Sequence, residues 1–259
     1  MNIRLLLEEI RWLKRRKLYL FLFVTIVRLF LSFFGRRIKW WLFRKLKLNK
    51  VKQILKLDSR KILLRIMDVN NVKEIWEWKV YDAFTLNKKS IVVDIGAHIG
   101  LFTIKVAPFC KKIIAVEPEP ENFELLTTNV YLNRIYNVKL LNKAVGAKRG
   151  TEKLYGCGSG ASMIRKSYDV KVVKVVKLED ILKNLKKIDL LKIDVEGAEH
   201  LIIQASKTKL LKISQIVIEI HPSLTDEESI KFILLKNGFK LEKYPSTSKD
   251  TYILYAHKK

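Results

Sequence analysis

Cysteine is nearly absent from this chain. Cys110 and Cys157 stand 47 positions apart (157 − 110) in 259 residues. They make no C-x-x-C pair, which excludes a disulfide framework and a structural zinc site and favours a reducing, intracellular setting. Acids are scarce too: 26 Asp and Glu face 51 Lys and Arg, a formal net charge of +25. No small-residue cleavage site follows the amino-terminal apolar stretch, so a secretory signal peptide is a poor fit. Apolar residues make up 49% of the chain, enough for a sizeable core and against wholesale disorder. The length suits one α/β domain with an extension.

The positive charge is unevenly placed. Residues 1–60 hold 17 basic and 3 acidic side chains, net +14, against +11 (34 − 23) for the remaining 199. Such a field draws phosphate, whether in nucleic acid or in anionic lipid. Leu18 to Phe34 is apolar apart from Thr25, Arg28 and Ser32, and basic clusters bracket it. Its 17 residues are the short end for a spanning helix, which needs roughly 17–25. Arg28 in mid-run would cost about 2.5–3.5 kcal/mol. A helix lying in the interface avoids both problems, its cations meeting anionic headgroups at about 1 kcal/mol each. Residues 1–54 are therefore expected to form a basic, hydrophobic helical extension that meets the membrane surface through residues 1–48, on the cytoplasmic side. A single spanning helix comes second and a helical arm on another subunit third. Nucleic acid is not favoured as the partner, because the Phe and Leu content exceeds what phosphate binding needs.

Residues 55–90 read as a strand–helix module, with a strand in Lys61–Ile66 and Asn70 capping a helix from Asn71 to about Phe84. Trp76, Trp78 and Tyr81 within it read as core or lid packing. The centre of the chain follows. Ile91-Val92-Val93-Asp94-Ile95-Gly96-Ala97-His98-Ile99-Gly100 runs from a buried parallel strand through a small-residue turn into a helix. That is the order an α/β nucleotide site needs, with Asp94 at the carboxyl end of the strand. The alternative is a strand–turn–helix whose glycines only make the turn. A second apolar strand, Ile113 to Val116, ends at Glu117, 17 positions past Gly100 (117 − 100). A carboxylate near this offset binds ribose in nucleotide folds, yet Ala97 and His98 break the dinucleotide spacing G-x-G-x-x-G. A different adenosyl ligand fits better.

Val92 to Gly100, then Val116-Glu117-Pro118, then Leu191-Lys192-Ile193-Asp194-Val195-Glu196-Gly197-Ala198-Glu199 resemble the FkbM-type S-adenosylmethionine-dependent methyltransferases, over roughly residues 75–222. The resemblance implies a doubly wound, Rossmann-like class I methyltransferase sheet in residues 91–259, mostly parallel with an antiparallel closing strand. It implies S-adenosylmethionine as cofactor, held by Asp94, Gly96, Ala97, His98, Gly100, Glu117 and Pro118. In that family the end of the next strand, Val138 to Asn142, borders the adenine, which makes Asn142 and Ala144 candidates for that edge. Ordinary strand-end and turn roles are as good an account of both. The family also faces the Gly156–Ser162 loop toward the acceptor, so Ser159 and Ser162 are candidate substrate contacts.

Further strands are expected at Thr151–Tyr155, Val170–Val176, Asp189–Asp194 and Ser214–Pro222, and a closing antiparallel pair at Phe239–Lys243 and Tyr252–Ala256. Asp194 and His221 come to one sheet edge. Glu196 and Glu199 are expected in the first turn of the following helix, where the dipole favours carboxylates, and for Glu199 that structural role suffices. Methyl transfer to a hydroxyl needs a positioned base. His221, with an ordinary pKa near 6.5, and Asp194 or Glu196 are the candidates. The same three could instead hold a divalent cation that acidifies the hydroxyl; the metal-free base is placed first. The expectation is thus an O-methyltransferase acting on a hydroxyl of a glycan, glycolipid or related small molecule near the membrane. The alternatives are a nucleic-acid methyltransferase using the basic arm and a non-catalytic adenosyl-binding membrane scaffold.

Overall fold

The computed structural model describes residues 3–30, 45, 51–156, 158–164, 169–246 and 250–258; within these, the side chains of 3–6, 28–30, 159, 207 and 208 lie outside the description. The chain forms two compact units, Met1–Asn70 and Asn71–Lys259. The strand of the expected 55–90 module belongs to the first and most of its helix to the second.

In the first unit, helices α1 (Ile3–Arg15) and α2 (Tyr19–Phe30) precede an antiparallel hairpin of β1 (Lys52–Leu57) and β2 (Arg60–Arg65). Lys17, at φ 55°, breaks the helical path between α1 and α2. Gln53 ties hairpin to helices, its Oε1 accepting from Phe21 N (3.4 Å) and its Nε2 donating to Lys17 O (3.3 Å). The apolar run is divided by this packing: Leu18, Phe21 and Val24 are buried, whereas Tyr19, Leu20, Phe23 and Ile26 are exposed. Among the described residues no helix is long and apolar enough to cross a membrane. The remainder of the expected membrane segment, 1–2, 31–44 and 46–48, lies outside the described residues.

The expected helix over Asn71–Phe84 is shorter. A helical turn at Val69–Val72 runs into a wider turn at Lys73–Glu77 and stops. Lys105 Nζ donates to Ile75 O (2.7 Å), the carbonyl that Lys79 N would need, and Lys79 adopts φ 53°. Asn70 lies inside the turn rather than capping it. Asp68 accepts from Arg65 N (2.8 Å) ahead of it.

The second unit is built on β3 (Ile91–Ile95), α3 (Leu101–Val106), β4 (Lys112–Val116), α4 (Pro120–Leu132), β5 (Val138–Leu141), β6 (Ala144–Val145), β7 (Gly150–Tyr155), β8 (Val170–Val176), α5 (Leu178–Leu182), β9 (Ile188–Ile193), α6 (Glu199–Ala205), β10 (Ile213–Ile220), α7 (Glu227–Lys236), β11 (Lys240–Pro245) and β12 (Tyr252–His257). Seven strands form one sheet in the order β11-β12-β10-β9-β3-β4-β5, with only β11 and β12 antiparallel to their neighbours. The chain winds outward from β3 to β5 and returns to β9, so the direction switches between β3 and β9. Ligands bind open α/β sheets at the carboxyl ends beside such a switch. Residues such as Val93, Ile114, Leu191 and Ile216 fill one face of the sheet and Val92, Ile113, Leu190 and Val217 the other. Burial on both faces is why these strands read as unbroken apolar runs. The strands expected at 151–155 and 170–176 join β6 in a separate three-stranded sheet.

Candidate active site

The turn after β3 starts the site. Gly96 sits at φ 76°, where a Cβ would stand 1.7 Å from Asp194 O. Only glycine lets the carboxyl ends of β3 and β9 come this close. His98, itself at φ 52°, donates its backbone N–H to Glu117 Oε2 (2.8 Å). Glu117 Oε1 accepts from Glu119 N (3.0 Å) and Asn122 Nδ2 (3.2 Å). Burial raises the Glu117 pKa, and the charge of His98 and these hydrogen bonds oppose the shift. A held, nearly enclosed carboxylate at this strand tip can receive hydroxyl donors from a sugar.

Across the switch point, Lys192 on β9 is buried between two acids. Its Nζ lies 3.3 Å from Asp94 Oδ1 and 3.5 Å from Asp194 Oδ2 and donates to Gly96 O (2.8 Å). Tyr81 donates its hydroxyl proton to Glu219, and the same oxygen is 3.3 Å from Asp194 Oδ2. Glu219 Oε1 also accepts from Thr251 Oγ1 (3.0 Å). His221 Nδ1 lies 2.9 Å from Glu199 Oε1, and its Nε2 3.5 Å from Glu196 Oε2. Burial alone would lower the His221 pKa, but the hydrogen bond to Glu199 and the charges of Glu199, Asp194 and Glu196 outweigh it and raise the value to about 9. The imidazole is therefore protonated at neutral pH, unlike the near-6.5 base expected from its type.

One cavity of about 1400 Å³ joins these two halves. Gly96, Ala97, His98, Glu117, Pro118 and Ala144 line it on the β3–β4 side, and Asp194, Glu196 and His221 on the other. Three expected cofactor residues do not. Asp94 is fully buried beneath the turn, where Oδ2 accepts from Thr103 Oγ1 (2.6 Å) and Oδ1, with no hydrogen-bond partner among the described residues, lies 3.3 Å from Lys192 Nζ. Gly100 begins α3 and faces Leu126. Asn142 Nδ2 donates to Glu117 O (2.9 Å) and Pro118 O (3.1 Å), so it positions the strand tip instead of touching the cavity.

Glu196 is not in a helical turn. It adopts φ 56° ahead of Gly197, and α6 begins only at Glu199, because this pair interrupts the helical path. Glu199 is fully buried and holds His221, more than the dipole role expected of it. Ser162 Oγ donates to Glu196 O (2.6 Å) and is buried, so it anchors the site backbone; the Ser159 side chain lies outside the described residues. Lys192, Tyr81 and Glu219 were not assigned from sequence. Lys192 had a signal, being a lone cation inside an apolar strand two residues from Asp194. Tyr81 had none.

The family model described as Methyltransferase FkbM domain matches residues 94–241, more than half of the chain. Methyltransferase 1 of Beauveria bassiana (strain ARSEF 2860) is 28% identical over 197 residues, covering 64% of this chain and 79% of that protein. Methyltransferase sdnD of Sordaria araneosa is 28% identical over 209 residues, covering 65% of this chain and 81% of that one. Among solved structures, the methyltransferase FkbM from Methylobacillus flagellatus KT shares the fold at a TM-score of 0.50 and 16% identity, over 72% of this chain and 47% of that chain. This chain thus spans about half the length of that structure.

Proposed function

The chain belongs to the FkbM methyltransferase family, and on that premise we propose that it carries a methyl group from S-adenosylmethionine to a hydroxyl of a glycan, glycolipid or related small molecule. S-adenosylmethionine is the cofactor, and when bound it supplies an electrophilic methyl on a sulfonium. The residues fit it. Gly96 lines the cavity at the point where β3 and β9 approach too closely for a Cβ, and Glu117 stands at the adjacent strand tip with its carboxylate fixed. Gly96, Ala97, His98, Glu117, Pro118 and Ala144 would hold the adenosyl part.

The single observation that carries the proposal is that this cradle and the Asp194–Glu196–His221 cluster open into one cavity. A hydroxyl acceptor there would lose its proton toward that cluster while Tyr81 and Lys192 hold Asp194 in place. Charge supports a neutral polyol. Among the described residues seven carboxylates line the cavity (Glu74, Glu117, Asp194, Glu196, Glu219, Glu227, Asp250) against three lysines and the protonated His221, although the whole chain is strongly basic. A phosphodiester would meet repulsion at the reacting centre. Methyl transfer from labelled cofactor into total membrane and glycan extracts tests this. We expect label in an alkali-stable glycan or lipid fraction, falling at least about 100-fold in Asp194→Asn. Label confined to RNA, and lost at high salt, would favour the nucleic-acid reading; cofactor binding without label in any fraction would favour the scaffold.

The amino-terminal unit is proposed to meet the cytoplasmic face of a membrane in plane. Tyr19, Leu20, Phe23 and Ile26 share an exposed stripe of α2 (positions i, i+1, i+4, i+7) in a segment flanked by Lys14, Arg15, Arg16 and Lys17. The chain should float with anionic vesicles, and Leu20→Ser with Phe23→Ser should weaken flotation several-fold. Equal flotation with neutral vesicles, or none at low salt, would speak against it.

A further inference from the structure

We propose that Asn122 is a positioning residue for the cofactor: its one side-chain amide fixes the direction of the Glu117 carboxylate and holds the Gly158 turn against the same strand tip. Asn122 is buried in the first turn of α4 and lines the cavity. Its Nδ2 donates to Glu117 Oε1 (3.2 Å) and to Gly158 O (3.0 Å). An amide nitrogen carries two hydrogens, and these contacts use both. The backbone is fixed as well, because Asn122 N donates to Glu119 Oε2 (2.6 Å) and the same Glu119 pairs with Lys171 of β8.

Each contact has a consequence for the cofactor. A carboxylate offers about four lone-pair positions. Among the described residues His98 N takes one on Oε2, and Glu119 N and Asn122 Nδ2 take those on Oε1. That leaves about one, on Oε2, for a ribose hydroxyl. The second contact brings in the connection between β7 and β8. Ala161 and Met163 follow Gly158, and with Ala144, Val145 and Leu154 they line the cavity as an apolar wall, the kind of surface a flat adenosyl base needs. Ser162, between them, donates to Glu196 O (2.6 Å). The segment is thus tied to the cofactor side by Asn122 and to the catalytic side by Ser162.

The role rests on S-adenosylmethionine being the cofactor and stands apart from the choice of acceptor. It carries a pH signature. Burial raises the Glu117 pKa, while the charge of His98 on the turn after β3 and the hydrogen bonds from Glu119 N, His98 N and Asn122 pull it down. Glu119 nearby is answered by Lys171, and Lys143, on the turn after β5, lines the same cavity. The ionised carboxylate is the form that accepts from ribose, so affinity is lost as pH falls through this pKa. Without the Asn122 donor the pKa rises, and the loss begins at a higher pH.

The test is a calorimetric titration of S-adenosylmethionine, between about pH 4 and 8, into the wild-type chain, Asn122→Ala, Glu117→Gln and the double variant. Asn122→Ala should weaken binding about 10–100-fold at neutral pH, the worth of a hydrogen bond to a charged group. It should also move the acid limb of the affinity profile to higher pH. In the Glu117→Gln background the same substitution should cost far less and leave the acid limb where it is, since residues in one network are not additive. Asn122→Asp, of the same size, is the second variant. It sets a carboxylate against Glu117 and the Gly158 carbonyl and should bind more weakly than Asn122→Ala at neutral pH. Circular dichroism checks that each variant is folded. Equal losses in both backgrounds with an unmoved acid limb would reduce Asn122 to a structural residue, and wild-type affinity in Asn122→Asp would overturn the role outright. A wild-type chain that binds no S-adenosylmethionine would defeat the cofactor assignment, and this role with it.

Discussion

Lys192→Met should destabilise the protein by roughly 3–5 kcal/mol, the usual cost of stranding one partner of a buried ion pair. Asp94 is fully buried, and the lysine 3.3 Å away is the cation that answers its Oδ1. Methionine fills the stem of the side chain but leaves that charge in an apolar surround, with Gly96 O losing its donor as well. Against a total stability of about 5–15 kcal/mol this is a large share. Adding Asp94→Asn to the same chain removes the stranded charge and should restore a measurable part of the loss, because residues in one network couple. Urea denaturation of the two single variants and the double variant measures this. A Lys192→Met chain within 1 kcal/mol of wild type, a threshold of about one surface interaction, would contradict the picture of Lys192 as the buried pin between β3 and β9.

Gly96→Ala should remove cofactor binding. A non-glycine residue in the left-handed region costs about 1–2 kcal/mol, and overpacking adds about 1–3 kcal/mol. The clash is with backbone: the Cβ would stand 1.7 Å from Asp194 O and 2.8 Å from its carbonyl carbon, so no side chain can swing aside. The strand tips must part, and the Glu117 and Asp194 sides of the cavity with them. We expect at least about a 100-fold loss of S-adenosylmethionine affinity, each factor of ten being about 1.4 kcal/mol. Affinity within twofold of wild type, measured by calorimetry on a folded chain, would show that the close approach of the strands is not what shapes the cradle.

Most of the sheet was legible because its physics is local. Ile91–Ile95, Lys112–Val116, Ile188–Ile193 and Ile213–Ile220 are buried on both faces and so carry unbroken apolar runs, each ending near a polar residue at the ligand edge. The places of Gly96 and Glu117 at the cavity were legible for the same reason, one by its turn and the other by its offset. What sequence could not give was direction and partnership. Asp94 and Lys192 sit opposite each other in neighbouring strands, and their pairing hides the acid that the pattern aimed at the ligand. Tyr81 reaches Asp194 across 113 positions, from a segment stopped by a lysine far along the chain. Glu199 lies five positions past Asp194 (199 − 194) and looked like a dipole partner, yet its contact is His221, 22 positions on. The apolar run of α2 announced hydrophobicity but not that half of it packs internally.

The most direct measurement is a calorimetric titration of S-adenosylmethionine into the wild-type chain and into Glu117→Gln. One saturable site in the wild type, displaced by S-adenosylhomocysteine and at least about tenfold weaker once the carboxylate becomes an amide, is the predicted result. No saturable heat in the wild type, or equal affinity in the variant, would contradict the assignment of this strand tip to the cofactor's sugar.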